Sequence, residues 1–339
     1  MAWPWPSVAG APPLPAGPRR AARFQAPRAP GPEGGRRAED RFLRRAFRHH
    51  SRTFSLATRL LPRPERLPVA VLYLYCRTVD TLADERVHEI GADAARDELD
   101  ALDRALAETL AGRPPAGPHA LLWRRLAEVH ARYGLPAHPL RQLLDGARWD
   151  LDGRPVETTD DLLDYSDLVA GSVGAAMLPF LVRRPADRDR LDEPARALGA
   201  AMQITNILRD VGEDWRDLGR TYLPADALRE RGVDLAAAVP AAPPVPAAYR
   251  GLVEDLMGQA ERLYLVADAG IRDLRPGVQA GVRGAARMYR EFLNAVRANG
   301  YDNLSRRAAV PLGRKLAALA RDGYAGRRDR LAAPAGRLR

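Results

Sequence analysis

The stretch Gln203–Pro224, QITNILRDVGEDWRDLGRTYLP, decides how the rest of this chain is read. Asn206, Asp210 and Asp214 recur in it at every fourth position. On an α-helix that spacing stacks all three on one face over two turns. Ile204, Ile207, Leu208 and Val211 supply an apolar stripe beside the polar row, so the segment reads as an amphipathic helix. Two carboxylates and an amide in a row repel unless a cation sits among them. Mg²⁺ suits such a row, because it takes oxygen ligands, keeps several waters and usually shares its site with substrate phosphate. A lone D-x-x-x-D is more often a solvated helix face. A second copy changes that weighing: Asp80 and Asp84 stand four apart in LYLYCRTVDTLADE, again after an apolar stretch. Two such helices facing each other across a cavity make a clamp for a metal-bridged diphosphate.

The composition is that of an ordinary globular protein, and 339 residues are enough to bury a large core. The formal charge of +10 is carried by the ends: residues 1–40 hold +3, residues 306–339 hold +8, and the body between is at −1. A neutral body lacks the basic stripe of a nucleic-acid-binding domain, so no nucleic-acid partner is expected. Basic ends suit an anionic membrane surface, or serve solubility alone in an arginine-rich chain whose one lysine is Lys315. The single cysteine, Cys76, rules out a disulfide framework within the chain and reads as a small packing residue. No apolar run reaches 18 residues; Leu168–Val182 is shorter, holds two glycines and a proline, and reads as a buried helix. The expectation is a cytoplasmic protein, soluble or in peripheral contact with the membrane.

Residues 1–38, rich in Pro, Ala, Gly and Arg, read as a disordered tail, residues 39–322 as one catalytic domain and residues 323–339 as a basic tail. Helices are predicted near 40–60, 68–85, 92–111, 119–133, 137–150, 160–182, 187–217, 247–273, 278–298 and 306–322. Pro62 and Pro64, the RPPAGP run at 113–118, Gly134 with Pro136, and Gly153 with Pro155 separate them. Thr158 to Asp161 resembles an N-terminal capping cluster. No alternating strand series and no G-x-G-x-x-G after a strand is present, so the fold class is all-α.

NILRDVGED followed by GRTYLP closely resembles the second aspartate-rich motif of the squalene and phytoene synthases, which join two isoprenoid diphosphates head to head. The resemblance runs from about residue 43 to about residue 320. It implies an isoprenoid synthase-type helical bundle around a central apolar cavity. It also implies Mg²⁺, with Mn²⁺ as a substitute, held by Asp80, Asp84, Asn206, Asp210 and Asp214. His50-Ser51-Arg52-Thr53-Phe54 resembles the family's opening H-S-x-[ST]-F, whose residues help bind the substrate diphosphate. Tyr73 and Arg77 lie seven and three residues before Asp80, near the same helix face. Arg77 there either neutralises diphosphate or pairs with Asp80 or Asp84. Tyr165, in YSDLVAGSVG, matches a position linked to the second reaction step, although Ser166 and Asp167 depart from the residues common beside it. Ala170, Gly171, Ser172 and Gly174 allow close approach of a prenyl chain, but ordinary helix packing explains them equally. Gln203, Arg209, Arg220 and Tyr222 complete the central motif. In ARMYREFLNAVRANGYDNLSRRA, Tyr289 and Arg306 match positions that contact diphosphate in relatives. Ala83 stands where some relatives carry an acid, so an extra ligand available to those relatives is absent from the first motif.

The implied activity ionises one prenyl diphosphate, joins it to a second through a cyclopropylcarbinyl diphosphate, and rearranges that intermediate. NILRDVGED, and a C-terminus without a membrane anchor, favour 15-cis-phytoene from two geranylgeranyl diphosphates. D-T-L-A-D leans towards squalene or dehydrosqualene from farnesyl diphosphate, with NADPH required only for squalene. A reading of another class is a non-catalytic relative kept as a binding or assembly module; retention of Asp80, Asp84, Asp210 and Asp214 argues against it. The expected partners are prenyl diphosphates, and the expected state is a monomer or weak homo-oligomer.

Overall fold

The computed structural model describes residues 35–240 and 244–319, with every side chain in them except those of Arg52 and Thr53. Residues 1–34 of the expected N-terminal tail, and the whole of the expected tail at 323–339, lie outside the described residues. The first helix, α1 (Gly35–His50), starts four residues before the expected domain boundary. Its first turn is tied down by Arg36, which pairs with Glu128 at 2.7 Å. Leu43, Ala46 and Phe47 form its buried stripe.

The helix predicted over 40–60 is cut at Ser51. That residue is extended (φ −139°, ψ 99°), and its hydroxyl accepts from the Phe54 amide at 3.1 Å, capping a new helix α2 (Arg52–Thr58). α3 (Arg63–Thr81) starts five residues earlier than predicted. Pro64 falls in its first turn, where a missing N–H costs nothing, so the prolines that looked like breakers open the helix instead. A π-helical turn, Leu82–Arg86, follows, then α4 (Val87–Ile90). α5 (Ala92–Leu110), α6 (Ala120–Tyr133) and α7 (Ala137–Leu151) come next. α8 (Thr159–Ser166) opens on a reciprocal capping box between Thr158 and Asp161. A second π turn, Asp167–Gly171, separates it from α9 (Ser172–Leu181).

α10 (Arg188–Leu218) is the axis of the molecule, 31 residues and therefore about 46 Å long at 1.5 Å per residue. Two short helices that were not predicted, α11 (Ala225–Glu230) and α12 (Leu235–Ala238), lead to α13 (Ala247–Ile271) and α14 (Pro276–Ala298). α15 covers 312–319. No strand occurs among the described residues, and no helix among them is long and apolar enough to cross a membrane.

α10 packs on α13, α9, α14 and α8. Its contact with the α8–α9 segment is made backbone to backbone. A Cβ on Gly199 would stand 2.0 Å from the Ala170 carbonyl oxygen, and one on Gly174 would stand 2.1 Å from that of Ala195. Helix packing therefore accounts for the small residues, although Ala170 and Gly174 also border the central cavity. One apolar core, with Leu72, Tyr75, Leu99, Leu126 and Leu144, lies among α3 and α5–α7. A second, with Ile204, Leu208, Tyr249, Met257 and Tyr264, lies between α10 and α13.

Candidate active site

Between the two cores runs a cavity of about 240 Å³, bordered by α2, α3, α9, α10, α13 and α14. On α10 it is lined by Leu191, Ala195, Leu198, Met202 and Asn206, steps of three or four residues that keep to one helix face. These positions span roughly 22 Å of helix. The same periodicity continues to Asp210 and Asp214. The walls are aliphatic, and polar groups gather at one end: Tyr73, Gln203, Asn206 and Tyr289. Cys76 also borders the cavity; burial pushes its thiol well above the ordinary range, so it packs as a neutral group.

Asp80 closes α3, and Asp84 lies in the π turn that follows. A turn wider than α-helical therefore relates the two, a local distortion frequent at functional sites. Arg220 joins this pair to the rest of the site. Its Nη2 donates to Asp84 Oδ1 at 2.9 Å, and its Nη1 lies 3.4 Å from Asp150 Oδ1. Asp150 also accepts from the hydroxyls of Tyr165 and Tyr222, each at 3.0 Å. The two tyrosine rings stack with centroids 4.9 Å apart. Asp150 is the residue that sequence reasoning missed. It stands at the end of α7 with no acidic partner one turn away, and only the fold carries it to Arg220. Arg77 pairs with Glu85, not with Asp80 or Asp84 as one reading of the spacing had it.

Burial and the charge of Asp84 push Asp80 up to about 7. Burial and the charge of Asp210 do the same to Asp214, also to about 7, against the pull of Arg220. Burial lifts Asp150 to about 6, with Arg220 opposing and Asp84 reinforcing. Asp84 is raised by burial, with Arg220 and Arg77 opposing. The two aspartate motifs thus share one electrostatic field with more negative charge than Arg77 and Arg220 neutralise. That excess fits a divalent cation. No three His, Cys, Asp or Glu side chains among the described residues are gathered for direct coordination of one ion. A carboxylate or two with water and phosphate completing the shell is the arrangement the side chains suit.

Asp210 is held differently. Arg209 Nε donates to its Oδ1 at 2.7 Å, and Arg307 Nε approaches the same oxygen at 2.7 Å. Arg307 also reaches Glu213 Oε2 at 3.1 Å. Arg209 and Lys315 both lie over the Phe292 ring, 4.9 and 5.1 Å from its centroid. Burial, then the charges of Arg209 and Arg307, lowers the Lys315 ammonium. Two arginines therefore hold Asp210, and Lys315 stands near enough to both to feel their charge. Arg306, the expected contact, is mostly exposed and faces Asp302 at 3.5 Å. The loop after α14 sets which arginine faces α10. Asn303 is buried, accepting from Tyr249 at 2.6 Å and donating to the Leu208 carbonyl at 2.6 Å. The Gly212 amide donates to the Asn303 carbonyl at 3.0 Å, and Arg216 donates to that of Leu304 at 2.7 Å. A Cβ on Gly212 would lie 1.9 Å from the Leu304 oxygen. The loop is thus locked onto α10, in a register that turns Arg307 to Asp210.

Of the remaining expected residues, Tyr73 and Tyr289 line the cavity. Burial pushes the Tyr73 hydroxyl up to about 12, and its ring packs against Phe47 and Phe54, 4.9 and 6.0 Å away. The Ser51 hydroxyl is engaged in capping α2. His50, at the end of α1, is lowered by burial and by the charge of Arg77. The side chains of Arg52 and Thr53 lie outside the described residues. Tyr289 is raised by burial, with Arg209 opposing.

An apolar cavity along one long helix, with an aspartate pair beginning one turn beyond each of its lining residues Cys76 and Asn206, defines an all-α isoprenoid synthase fold. Residues 47–314 match the squalene/phytoene synthase family, and the chain belongs to that family of prenyltransferases. It is 39% identical over 288 residues to a phytoene synthase of Rhodobacter capsulatus, covering 82% of this chain and 79% of that one. It is 34% identical over 285 residues to a 15-cis-phytoene synthase of Synechococcus elongatus, covering 80% and 87%. Among solved structures, a ligand-bound dehydrosqualene synthase superposes with a TM-score of 0.74 at 32% identity, over 85% of this chain and 96% of that one. A squalene synthase from Alicyclobacillus acidocaldarius gives 0.67 at 26%, over 78% and 95%.

Proposed function

We propose that the protein condenses two molecules of geranylgeranyl diphosphate head to head, through a cyclopropylcarbinyl diphosphate, to 15-cis-phytoene. The observation that carries this reading is the apolar cavity whose α10 face runs without interruption into Asp210 and Asp214. Its support on product comes from the phytoene synthases among its relatives. Mg²⁺, or Mn²⁺ in its place, supplies charge stabilisation to a departing diphosphate when bound, and Asp80, Asp84, Asn206, Asp210 and Asp214 are the residues to hold it. Arg77 and Arg220 add positive charge beside the first pair, and Arg209, Arg307 and Lys315 receive a diphosphate beside the second. Tyr73, Gln203 and Tyr289 border the polar end of the cavity, and His50 and Ser51, close to Arg77 and Tyr73, are further residues to contact the diphosphate. Tyr165 and Tyr222 hold Asp150, and aromatic faces such as theirs stabilise positive charge. The aliphatic walls exclude water, which would otherwise quench a carbocation.

A second reading takes farnesyl diphosphate to dehydrosqualene, or to squalene with NADPH; the likeness to the dehydrosqualene synthase structure favours it. The protein works in the cytoplasm as a monomer or weak homo-oligomer, in peripheral contact with the membrane that holds its product. Purified protein with Mg²⁺ is given farnesyl or geranylgeranyl diphosphate, each with and without NADPH, and the extracted lipid is identified. Phytoene from the C20 substrate without reductant is the expected result. A C30 product alone moves the assignment to the second reading, and no product from folded protein removes both.

A further inference from the structure

A second pocket, of about 340 Å³, opens on the outer side of α2 and is lined by five arginines: Arg44, Arg48, Arg59, Arg63 and Arg66. No acid lines it. Arg44 and Arg48 are one turn apart on α1, Arg59 caps α2, and Arg63 opens α3. None of these four makes an ion pair among the described residues, whereas Arg77, Arg148, Arg196 and Arg220 all do. The fifth arginine builds the pocket. Arg66 donates to the carbonyls of Leu61 at 2.9 Å and Arg59 at 2.7 Å, pinning the α2–α3 connection that carries Arg59 and Arg63. Like charges gathered one turn apart without counter-charge disfavour the unliganded state. An anion relieves that repulsion, and the guanidinium fork matches phosphate oxygens.

We propose that this pocket binds a phosphoryl group, at a site separate from the aspartate end of the cavity. The hydroxyl-bearing residues Ser55 and Thr58 border it, and Thr58 also borders the substrate cavity, so α2 is a shared wall. Two sources offer this chemistry: a lipid headgroup or free inorganic phosphate. Helix α15 shares a small buried cluster with α2 through Leu319 and Ala57, and it exposes Leu312 (65%) and Leu316 (46%) one turn apart. Exposed apolar side chains on a helix packed against α2 are what a membrane surface meets, so the lipid source is tested first.

The test uses the full chain, in chelator, with three probes: phosphatidylcholine vesicles, the same vesicles with phosphatidic acid, and inorganic phosphate measured by calorimetry. Arg48→Gln/Arg63→Gln is compared with Arg41→Gln/Arg45→Gln, which removes equal charge from exposed positions outside the pocket. Binding of phosphatidic acid vesicles or of inorganic phosphate is expected to weaken about tenfold or more in the first variant and about twofold at most in the second. Loss confined to the vesicle arm identifies a lipid headgroup as the ligand, and loss in the phosphate arm identifies a free phosphate; either supports the site. Equal loss in both variants, or wild-type protein that binds neither probe, overturns it. Turnover of detergent-solubilised prenyl diphosphate is expected to be unchanged by Arg48→Gln/Arg63→Gln, so failure here is distinct from failure of the proposed condensation.

Discussion

Arg220 Nη2 lies 2.9 Å from Asp84 Oδ1, a contact between residues 136 positions apart in the chain. The same guanidinium approaches Asp150, pulls down the pKa of Asp214 and stands 5.1 Å from the Tyr222 ring. A single side chain therefore connects the first aspartate motif, the second motif and the stacked tyrosines. Such a charge is held by geometry from several elements at once, and its partners report on whether that geometry matters.

Asp150 is the first such partner. Asp150→Asn keeps the shape but removes the carboxylate that two tyrosine hydroxyls and Arg220 share. Turnover is expected to fall about 100-fold, in the range typical of losing a preorganised polar contact, with helical circular dichroism unchanged. Activity close to wild type would show that the Tyr165–Asp150–Tyr222 network is only structural.

Arg306 and Arg307 make a paired test. Arg307 contacts Asp210 and Glu213, whereas Arg306 faces Asp302 and solvent. Arg307→Ala is expected to cost about tenfold or more in kcat/KM, and Arg306→Ala about twofold at most. The opposite order would mean that the loop after α14 takes another register when substrate is bound.

Helix packing is tested at Gly199. An alanine there meets the Ala170 carbonyl at 2.0 Å, a backbone atom that has no rotamer to escape by. Gly199→Ala is expected to destabilise by about 1–3 kcal/mol in urea unfolding. Gly251→Ala on α13, where nothing lies within 4 Å, is expected instead to stabilise by about 0.5–1 kcal/mol. Equal effects at the two sites would contradict the close approach of α10 to the π turn before α9.

Asp80 supplies a pH test. Burial and Asp84 raise it to about 7, so the folded state holds its proton more tightly than the unfolded chain, where a carboxyl titrates near about 4. Its contribution to stability is complete below the unfolded value and is lost as pH rises through the folded one. In chelator, Asp80→Asn is therefore expected to raise the unfolding midpoint near pH 8, with a smaller gain near pH 5. The thermal midpoints of both proteins at the two pH values decide it; a gain that does not grow with pH removes the idea of strained carboxylates.

Much of the fold is legible in the chain because helical periodicity is a local property. The apolar stripe of α10, its aspartate row, the Thr158 cap and the wholly helical class all follow from spacing within a few residues. The breaks were harder to see. Ser51 ends one helix by capping the next, Pro64 begins a helix where it looked like a stop, and both π turns depend on what packs against them.

The sequence by itself determined that this is a helical protein with two aspartate motifs four residues in period, because side chains that share a helix face are near neighbours in the chain. Only the tertiary structure decided that Asp150 joins the site, that Arg77 turns to Glu85, and that Arg307 rather than Arg306 meets Asp210. Each of those choices is made by packing or by long-range electrostatics. A loop locked by Asn303 turns Arg307 to Asp210, and a charge finds its partner across 136 residues, at no cost to any local pattern.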